Sequence, residues 1–414
     1  MFYRRVLRAR LGANVSRNKI RLLFGARQTG KTALLKRTIQ GAAVAVFDLG
    51  QTSERRRYET DPAQFARELR ALPAKTRTVV VDEIQKVPAL LDEIQSLYDE
   101  RPTRFQFFLT GSSARKLRQH SANLLPGRSH VFHLAPVCRW EVEGSPRTVW
   151  PGAEPRSSLR GPRDEDRAFP DQRLERMLRF GNLPGIRTEA ELKAAASLSA
   201  YVEVYLEEEI RREALARDLG AFAVFLKLAA IESGQQVNLA KLSKETGIGA
   251  TTLKNYYDVL ADTFTGFWLR PYTRRGRKRL LTTPRFYFFD VGARNAAAGL
   301  PMERGMLATE GPRLFEQWVG LELLYRANYL AAGHSVSFWR SASGAEVDFI
   351  WQSPREDVPI EVKWTARPAP SDARHVETFL DEYPRRARRG LVVCRCDRPQ
   401  QLTRRVVAVP WEAF

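Results

Sequence analysis

The most specific chemical signal in this sequence is a short glycine-rich run with the spacing G-x-x-x-x-G-K-[ST]. Its residues are Gly25, Ala26, Arg27, Gln28, Thr29, Gly30, Lys31 and Thr32. The glycines let the backbone curl until its N–H groups point inward, where they bind phosphate oxygens. Lys31 then reaches the β- and γ-phosphates of a nucleoside triphosphate, and Thr32 ligates Mg²⁺. The run predicts a nucleotide site, and a chance glycine-rich turn is the alternative.

A pair of acids follows about fifty residues after this run. The hydrophobic run Val79-Val80-Val81 ends in Asp82 and Glu83. Asp82 suits the coordination shell of Mg²⁺, and Glu83 suits the general base that takes a proton from an attacking water. Strands often end in an acid, so the pair alone is weak evidence. Its place after a phosphate-binding loop makes it a specific prediction of nucleotide hydrolysis.

Three more residues are candidates for contact with the transferred phosphate. Ser112 follows the apolar run Phe107-Phe108-Leu109, and a hydroxyl there can sense the γ-phosphate. Arg115 and Arg128 are candidates for stabilising transition-state charge, each in trans from a neighbouring subunit. Ordinary turn chemistry is the alternative for the hydroxyl, and solvated surface is the alternative for both arginines.

Another group of candidates lies near the C-terminus, at Asp348, Glu361 and Lys363. Alternation along two predicted strands pairs Asp348 with Glu361 across a hairpin, and such hard oxygens hold a divalent metal. Lys363 orients or helps to deprotonate the attacking water, and Glu316 on the preceding helix is a fourth member. The pattern resembles the restriction-endonuclease-like (PD-(D/E)XK) nuclease fold, with Val347 where that motif often has Pro. The alternatives are a degenerate module that only binds nucleic acid and a salt-bridged surface hairpin.

The middle of the chain has the pattern of a helix-turn-helix followed by a hairpin. The pattern predicts two helices, Val237–Thr246 and Ala250–Leu260, around the turn Gly247–Gly249. On the second helix, Lys254 and Asn255 are the polar side chains that could contact base edges. The loop of the hairpin is rich in cations, which include Arg274, Arg275, Arg277, Lys278 and Arg279. This pattern looks like a winged-helix module that contacts DNA or RNA mostly through phosphate. A winged helix that binds protein, with a solvated loop, is the alternative.

The elements that position these residues form two α/β parts. The first part alternates strands with helices, and it begins with the strand Ile20–Phe24 before the phosphate loop and the helix Thr32–Ile39 after it. Such alternation implies a parallel sheet, and continuous apolar runs such as Val79-Val80-Val81 imply that both its faces are covered. The segment Glu143–Asp171, rich in Pro, Gly, Ser, Arg and Asp, predicts a domain boundary. After a largely helical stretch, a long helix at Leu314–Ala331 precedes the strands of the second part.

Composition narrows the class of protein. The chain has 414 residues, of which 43% are hydrophobic, so it can bury a sizeable core and is not disordered over its whole length. Three cysteines are too few for a disulfide framework, and no apolar run approaches the roughly 18 residues of a membrane span. We therefore expect a soluble cytoplasmic protein. The net charge of +20 favours nucleic acid as a partner; the alternatives are an anionic membrane and a composition that merely favours Arg.

The phosphate loop, the run Asp82–Pro88 and the run Leu109–Ser113 together resemble the ATP-binding proteins of the AAA superfamily that are widespread in archaea and bacteria. In these proteins an ATPase module is joined to a C-terminal domain of uncharacterised type. Three later segments also resemble that family: Gly181–Pro184, Tyr201–Leu206 and Lys254–Asp290. The stretch Gly152–Pro170 is longer than the family pattern. The resemblance covers nearly the whole chain and implies that it binds ATP with Mg²⁺ and hydrolyses it.

The predicted fold class is α/β, with a P-loop parallel-sheet ATPase domain, a helical and winged-helix middle, and a C-terminal restriction-endonuclease-like α/β domain. We expect five segments in the chain. They are an AAA-type ATPase domain at 1–142, a Pro/Arg-rich linker at 143–171, a helical lid at 172–232, a winged-helix domain at 233–300 and a nuclease-like domain at 301–414.

These features together favour an AAA-type ATPase that acts on DNA by translocation or remodelling, with branched DNA in repair or recombination as one substrate. Assembly into a ring or a smaller oligomer would supply Arg115 or Arg128 in trans. Two alternatives stay open. One is an ATP-gated DNA nuclease that uses Asp348 and Glu361, and the other is a nucleotide-dependent signalling switch whose winged helix binds protein.

Overall fold

The structure of this protein is a computed structural model, and it divides into two compact units. Unit 1 consists of Met1–Ala135, Ser157–Ala168 and Asp262–Phe264, and unit 2 consists of Pro136–Arg156, Phe169–Ala261 and Thr265–Phe414. The residues that the structure describes are 2–12, 18–39, 43–115, 117, 125–144, 167–205, 219–273, 283–330, 333–341 and 343–413. Most of the predicted boundary segment 143–171 lies outside these ranges.

Unit 1 is built on a sheet of five parallel strands. They are β1 (Ile20–Phe24), β2 (Val44–Asp48), β3 (Thr78–Asp82), β4 (Gln106–Gly111) and β5 (Ser129–His133), in the spatial order β2-β3-β4-β1-β5. Each neighbouring pair is parallel, so the carboxyl ends of all five strands lie at one edge. The predicted parallel sheet is confirmed, and the end of β4 lies between the ends of β1 and β3.

Helices alternate with these strands along the chain. They are α1 (Leu7–Leu11), α2 (Lys31–Thr38), α3 (Thr52–Thr60), α4 (Pro62–Ala71) and α5 (Leu90–Glu100). All five residues of β1 are buried, which is what a sheet covered on both faces requires. Apolar side chains at helical spacing, such as Phe65 and Leu69 on α4, fill the core against the sheet. In α3 only Tyr58 is buried.

The first part of unit 2 is largely helical. Its helices are α6 (Leu174–Phe180), α7 (Pro184–Arg187), α8 (Glu191–Tyr205), α9 (Leu219–Ile231), α10 (Leu239–Thr246), α11 (Ala250–Asp262) and α12 (Val291–Ala298). Between α11 and α12 in the chain, β6 (Gly266–Leu269) and β7 (Arg285–Phe288) form a two-stranded antiparallel sheet. Helix α10 begins after Asn238, whose side chain accepts a hydrogen bond from Lys241 N, and it ends at Thr246, before Gly247, whose φ is 72°.

The C-terminal part of unit 2 contains the helices α13 (Leu307–Tyr329) and α14 (Arg374–Glu382) and a mixed six-stranded sheet. The strands are β8 (Ser335–Arg340), β9 (Glu346–Gln352), β10 (Asp357–Val362), β11 (Gly390–Cys394), β12 (Gln400–Gln401) and β13 (Val406–Pro410), in the order β12-β13-β11-β10-β9-β8. β8, β9 and β10 are antiparallel neighbours, whereas β10, β11 and β13 run parallel. Across the described ranges, no helix is long and apolar enough to cross a membrane.

The start of α13 differs from the prediction. The sequence predicts a helix from Leu314 to Ala331, after Gly311, whereas the helix begins at Leu307 and contains both Gly311 and Pro312. Pro312 removes one backbone N–H from the helix, a loss that usually marks a boundary. Tertiary packing outweighs this loss, because Leu307 and Gly311 are buried and a Cβ at Gly311 would lie 2.8 Å from the ring of Trp364.

Helix α12 begins at a buried acid. The carboxylate of Asp290 accepts hydrogen bonds from Ala293 N at 3.0 Å and from Asn182 N at 2.6 Å, so it caps α12 and fixes the loop after α6. Asp290 is 2% exposed, and this burial raises its pKa to about 6, although the backbone donors oppose the shift. The folded state therefore keeps a proton on Asp290 at pH values where the unfolded chain has lost it.

The variant Asp290→Asn cannot titrate, and we expect it to change the pH dependence of stability. Because the folded pKa is raised, the stabilisation is fully present below about pH 4 and is lost as the pH rises through about 6. From pH 4.5 to pH 7.5, the free energy of unfolding of the wild type should fall by about 2 kcal/mol relative to the variant. Urea unfolding at both pH values measures the difference, and parallel pH profiles would contradict the assignment.

Candidate functional site

The loop between β1 and α2 has a shape that its glycines permit. A Cβ at Gly25 would lie 2.3 Å from Leu134 O, and Gly30, the residue before α2, has a left-handed φ of 93°. Gln28 has a left-handed φ of 61°, which is uncommon for a residue other than glycine. The backbone therefore curls tightly just before the amino end of α2, where the spacing predicts a phosphate loop.

Lys31 lies against this curled loop. It is 7% exposed, and its Nζ donates hydrogen bonds to Gly25 O at 2.8 Å and to Ala26 O at 3.0 Å. Thr29 Oγ1 donates to Ala26 O at 2.8 Å and thereby ties the loop to itself. Both acceptors of Lys31 belong to the loop, so the ammonium group is already held where an anion bound by the loop would meet it.

Arg5 was not among the predicted site residues, yet it holds the phosphate loop in place. Its guanidinium group donates to Thr29 O at 2.7 Å and to Ala135 O at 2.5 Å, and Arg5 is 6% exposed. These partners lie 24 and 130 residues away in the chain, and no sequence pattern links them to Arg5. The loop therefore depends on a contact that only the folded chain reveals.

Thr32 and Asp82 meet at the carboxyl edge of the sheet. Thr32 Oγ1 donates to Asp82 Oδ2 at 3.0 Å, although the two residues are 50 positions apart in the chain. Asp82 Oδ1 accepts a hydrogen bond from the hydroxyl of Thr110, near the end of β4. The oxygens of Thr32 and Asp82 thus lie side by side next to the phosphate loop. A hydroxyl beside a carboxylate is the donor set that Mg²⁺ takes at nucleotide sites of this kind, so these residues fit the ion.

Glu83 is held in an uncommon backbone conformation. Its φ is 60°, and its N–H donates to Thr110 Oγ1 at 3.1 Å. Its carboxylate oxygen Oε2 accepts hydrogen bonds from Gln85 Nε2 at 2.6 Å and from Ser112 Oγ at 3.2 Å. Left-handed backbone at a residue other than glycine is frequent at functional sites, where surrounding contacts enforce it. These contacts fix the direction of the Glu83 carboxylate, as a general base requires.

The contacts of Glu83 revise the view of two neighbours. Ser112, predicted as a sensor of the γ-phosphate, is 2% exposed, and its hydroxyl donates to Glu83. Gln85 was not singled out, although it also donates to Glu83 and lies 3.1 Å from Ser112 Oγ. The sequence feature that could have identified Gln85 is an amide side chain two residues after Glu83, on the single helical turn Ile84–Lys86. We infer that both side chains position Glu83.

The two candidate arginines lie at opposite edges of the sheet of unit 1. Arg115 follows the carboxyl end of β4 and pairs with Asp262 at 3.7 Å. Arg128 directly precedes β5, at the amino edge, and donates to Asp99 at 2.6 Å. A strand of five residues spans about 16 Å, which exceeds the reach of an arginine side chain. Arg128 therefore lies too far away to reach a nucleotide at its own phosphate loop, whereas Arg115 lies at the edge that bears this loop.

The predicted carboxylates of unit 2 come together on the β9–β10 hairpin. Val362 N donates to Asp348 Oδ2 at 2.8 Å, which places Asp348 beside Glu361. Lys363 Nζ donates to Glu361 Oε1 at 2.8 Å. The other oxygen of Glu361, Oε2, is buried and has no hydrogen-bond partner in the described part of the chain. The three predicted residues therefore lie on one hairpin, where Lys363 contacts Glu361 and Asp348 contacts the backbone next to Glu361.

Glu316 extends this cluster from α13. Its carboxylate accepts hydrogen bonds from Tyr287 Oη at 3.0 Å and from Arg285 Nη1 at 3.3 Å. Arg285 also forms an ion pair with Glu346, the first residue of β9. Arg285 and Tyr287 belong to β7 and were not among the predicted site residues, because the nuclease-like pattern contains no position for them.

Burial controls the protonation of these acids. Burial first, and then the nearby charge of Asp348, raises the pKa of Glu361 to about 8 and that of Glu316 to about 7, while Lys363 and Arg285 oppose the shift. Burial also raises the pKa of Asp348. The three carboxyl groups therefore share protons near neutral pH. In the described ranges, no group of three or more His, Cys, Asp and Glu side chains is arranged to hold a metal ion, so Asp348 and Glu361 fit a metal only as an incomplete pair.

The helix pair and the hairpin of unit 2 share one hydrophobic core. Its buried side chains include Leu242 of α10, Tyr257 of α11 and Phe286 of β7. The predicted readers Lys254 and Asn255 are both exposed on α11. The predicted cations of the hairpin loop lie outside the described residues: Arg274, Arg275, Arg277, Lys278 and Arg279.

Three family models match the chain in succession. Residues 17–143 match an AAA domain, residues 171–304 match a domain of unknown function, DUF8612, and residues 312–414 match another, DUF4143. The first match contains the phosphate loop, Asp82 and Glu83. The chain therefore carries an AAA-type P-loop domain followed by a DUF4143 domain, and the AAA-type domain suggests ATPase activity.

Two curated relatives resemble most of the chain. The uncharacterized protein Rv2008c of Mycobacterium tuberculosis is 24% identical over 366 residues, which cover 88% of this chain and 75% of the relative. An uncharacterized protein of Haemophilus influenzae is 24% identical over 357 residues, which cover 83% of this chain and 82% of the relative. Among solved structures, C. elegans PCH-2 matches 33% of this chain and 41% of its own at 20% identity, and its TM-score of 0.23 supports no conclusion about the fold.

The variant Gln85→Ala removes the shorter of the two hydrogen bonds to the Glu83 carboxylate. We expect kcat for ATP hydrolysis to fall about 3- to 10-fold, because such a bond contributes about 1.5–3 kcal/mol and part of it orients the base. KM for ATP should stay the same, since Gln85 lies outside the phosphate loop. Steady-state kinetics measures kcat and KM separately and so tests whether only kcat changes. Gln95→Ala on α5 is the matched control, and a wild-type kcat in Gln85→Ala would contradict the positioning role.

Proposed function

We propose that this protein binds ATP with Mg²⁺ at residues 25–32 and hydrolyses it, and that hydrolysis drives translocation on DNA or its remodelling. The observation that carries the proposal is the hydrogen bond between Thr32 and Asp82, which joins the phosphate loop to the acidic end of β3. Glu83 is the next residue after Asp82, and Gln85 and Ser112 orient its carboxylate. The match of residues 17–143 to an AAA domain supports ATPase activity in general.

Binding of the triphosphate relies on positive charge that the chain has already assembled. The N–H groups of the curled loop and the amino end of α2 attract the phosphates, and Lys31 adds a full positive charge. On binding, the ammonium group exchanges the carbonyls of Gly25 and Ala26 for phosphate oxygens, which are stronger acceptors. Thr32 and Asp82 would hold Mg²⁺, which neutralises charge on the β- and γ-phosphates when it is bound.

Hydrolysis then requires a base at the far side of the γ-phosphate. Glu83 accepts a proton from a water molecule whose oxygen bonds to the γ-phosphorus, while the bond from that phosphorus to the bridging oxygen breaks. ADP and inorganic phosphate leave, and the proton passes from Glu83 to solvent. Gln85 and Ser112 keep the carboxylate aimed during this step, so they act as positioning residues.

Assembly of several copies would complete the site. Arg128 lies at the edge of the sheet opposite its own loop, so it can serve only the nucleotide of a neighbouring copy. Arg115 is the alternative, and its ion pair with Asp262 would have to open first. Either guanidinium would stabilise the charge of the transition state, which is a reason for the protein to form a ring or a smaller oligomer.

The action on DNA is proposed from charge and from the middle of unit 2. The chain carries a net charge of +20, which favours a polyanionic partner. Lys254 and Asn255 are exposed on α11, the second helix of a helix pair that shares its core with the β6–β7 hairpin. A helix pair of this kind can present α11 to a groove of DNA, with most contacts made to phosphate.

Variants of Lys31 and Glu83 separate nucleotide binding from hydrolysis. Lys31→Ala removes the charge at the loop, so the affinity for ATP should fall about 10- to 100-fold. Glu83→Gln keeps the shape of the side chain but cannot accept a proton, so affinity should stay within about twofold while turnover falls about 10²- to 10⁴-fold. Binding of a fluorescent ATP analogue with Mg²⁺ and release of phosphate measure the two effects. Full turnover in Glu83→Gln would remove Glu83 as the base.

The same phosphate-release assay tests the partner. Single-stranded, double-stranded and branched DNA and an RNA hairpin are added in turn, and DNA should stimulate turnover less as the salt concentration rises. A rate that no nucleic acid changes would leave the ATPase in place and remove the action on DNA. It would favour the nucleotide-dependent switch whose helix pair binds protein.

A second candidate function is ATP-gated cleavage of DNA at the carboxylates of unit 2. The buried oxygen Oε2 of Glu361 favours it, because an unpaired acceptor beside Asp348 and Lys363 is suited to a bound cation. Since the carboxylates fit a metal only as an incomplete pair, water and substrate oxygens would have to complete its shell. Lys363 would then orient the attacking water at the phosphodiester.

Cleavage of DNA in Mg²⁺ or Mn²⁺ tests this second function. Asp348→Asn and Glu361→Gln should each reduce cleavage at least about 100-fold, because each removes a charged metal ligand. Asp381→Asn, a change at an exposed acid of the same unit, is the control and should cleave like the wild type. Lys31→Ala should abolish stimulation by ATP. Cleavage that survives in Asp348→Asn belongs to a contaminant, and a wild type without cleavage removes the second function.

A further inference from the structure

A cavity of about 610 Å³, largely open to solvent, lies at the turn end of the β9–β10 hairpin in unit 2. Its lining includes Tyr272, Gln352, Asp357, Arg385 and Arg386. Cavities of this size commonly bind ligands, and this one is larger than a single phosphate ion needs. The candidate carboxylate site lies elsewhere on the same two strands, so this cavity is a separate feature.

The acid in this lining is already neutralised by neighbouring groups. Asp357 is 5% exposed, its Oδ2 accepts a hydrogen bond from Tyr272 Oη at 2.8 Å, and its Oδ1 accepts one from Arg386 Nη2 at 3.1 Å. Arg386 Nη2 also donates to Ser353 O at 2.6 Å, which fixes the guanidinium group at the turn. Both oxygens of Asp357 are therefore occupied, and an anion that enters the cavity meets little repulsion from it.

Gln352 is a neutral polar residue of the lining. Its Oε1 accepts hydrogen bonds from the hydroxyls of Ser335, at 3.3 Å, and Ser337, at 3.1 Å. These bonds fix the orientation of the amide group, so that its Nε2 is the end left for a ligand. An amide N–H is a common contact for a phosphate oxygen.

Arg385 in the lining has no internal partner among the described residues, and two further arginines without one lie within two residues of the lining in the chain. Arg355, Arg385 and Arg388 are exposed, and none makes a side-chain hydrogen bond or ion pair within the described ranges. Their neighbours differ, because Arg386 pairs with Asp357 and Arg389 pairs with Glu356. Five arginines and two acids occupy 355–357 and 385–389, which leaves a net charge of +3 at one end of the hairpin. Such solvated guanidinium groups bind phosphate with little desolvation penalty.

We propose that this cavity and its three unpaired arginines form a binding site for the phosphodiester backbone of nucleic acid. Planar guanidinium forks match phosphate oxygens, and several of them along one surface fit a chain of phosphates better than a single anion. The site lies four residues along each strand from Asp348 and Glu361, about 13 Å. Thr273 in its lining directly precedes the basic run Arg274–Arg279 in the chain. The inference rests on the proposed action on DNA and adds the surface that holds the strand.

The double variant Arg385→Gln/Arg388→Gln tests the site in the full-length protein. Fluorescence anisotropy with a labelled 30-base-pair duplex gives the affinity at several salt concentrations. Loss of two phosphate contacts should lower the affinity about 10-fold at 150 mM salt and reduce the slope of log K against log salt by about 1.8. Turnover of ATP without DNA should equal that of the wild type, which shows that the variant is folded.

Two matched variants separate this site from a general effect of charge. Arg398→Gln/Arg404→Gln removes two exposed arginines from the segments around β12, at the other edge of the sheet, and should leave the slope unchanged. Arg385→Lys/Arg388→Lys keeps both charges and should retain most of the slope. Equal losses in the Arg385/Arg388 and Arg398/Arg404 glutamine variants would overturn the site, because the effect would then be nonspecific.

The remaining outcomes distinguish the site from the proposed function. A wild type that binds DNA, together with an unchanged slope in Arg385→Gln/Arg388→Gln, overturns the site and leaves the action on DNA in place. A wild type that binds no DNA removes both. Vesicles of phosphatidylserine provide the last arm. If the double variant loses vesicle binding and keeps DNA binding, the surface recognises lipid head groups and the inference is wrong.

Discussion

The candidate nucleotide site depends on one constraint, which is that all five strands of unit 1 end at the same edge of a parallel sheet. Residues that are 50 positions apart, Thr32 and Asp82, can form a hydrogen bond only because β1 and β3 deliver them to that edge. The order of the strands adds a bridge, since β4 lies between them and carries Thr110. This one hydroxyl donates to Asp82 and accepts from the backbone N–H of Glu83. The position of Glu83, the candidate base, is thus set by the topology of the sheet and by the left-handed backbone conformation of Glu83 itself.

The part of unit 1 that could be predicted is the part encoded over short distances. The spacing of the phosphate loop and the acids after an apolar strand are local patterns, and the structure brings them together. Helix α3 was not predicted, because Tyr58 is its one buried side chain. Its sequence therefore lacks the periodic apolar residues that indicate an amphipathic helix. Arg5 escaped because its acceptors, Thr29 O and Ala135 O, become neighbours only after folding. Local patterns therefore identified the candidate groups of the site, whereas the contacts that hold those groups were mostly long-range.

Unit 2 shows the same division. The helix pair, the hairpin and the carboxylates on β9 and β10 were predicted from spacing, and α14 could have been, since Val376, Phe379 and Leu380 have helical spacing and are buried. The charge state of the carboxylates could not have been predicted. It depends on burial and on Arg285, which β7 contributes from more than sixty positions earlier than Asp348. A pattern of acids in a sequence indicates which groups are present but not which of them carry protons.

Two buried glutamates of unit 2 show how a structural acid differs from one that is open to a ligand. Glu322 is 2% exposed, yet both its oxygens accept a hydrogen bond from Arg139 N, and Arg326 adds another at 3.3 Å. Its lone pairs are used, so it holds segments of the chain together. Glu361 is 6% exposed, and Lys363 satisfies one oxygen while the other has no partner in the described part of the chain. A buried acceptor without a partner lowers the stability of the folded state. An acid with a purely structural role is therefore expected to have both oxygens bonded, as Glu322 does. The unsatisfied oxygen of Glu361 therefore distinguishes this acid from Glu322, whose oxygens are both bonded.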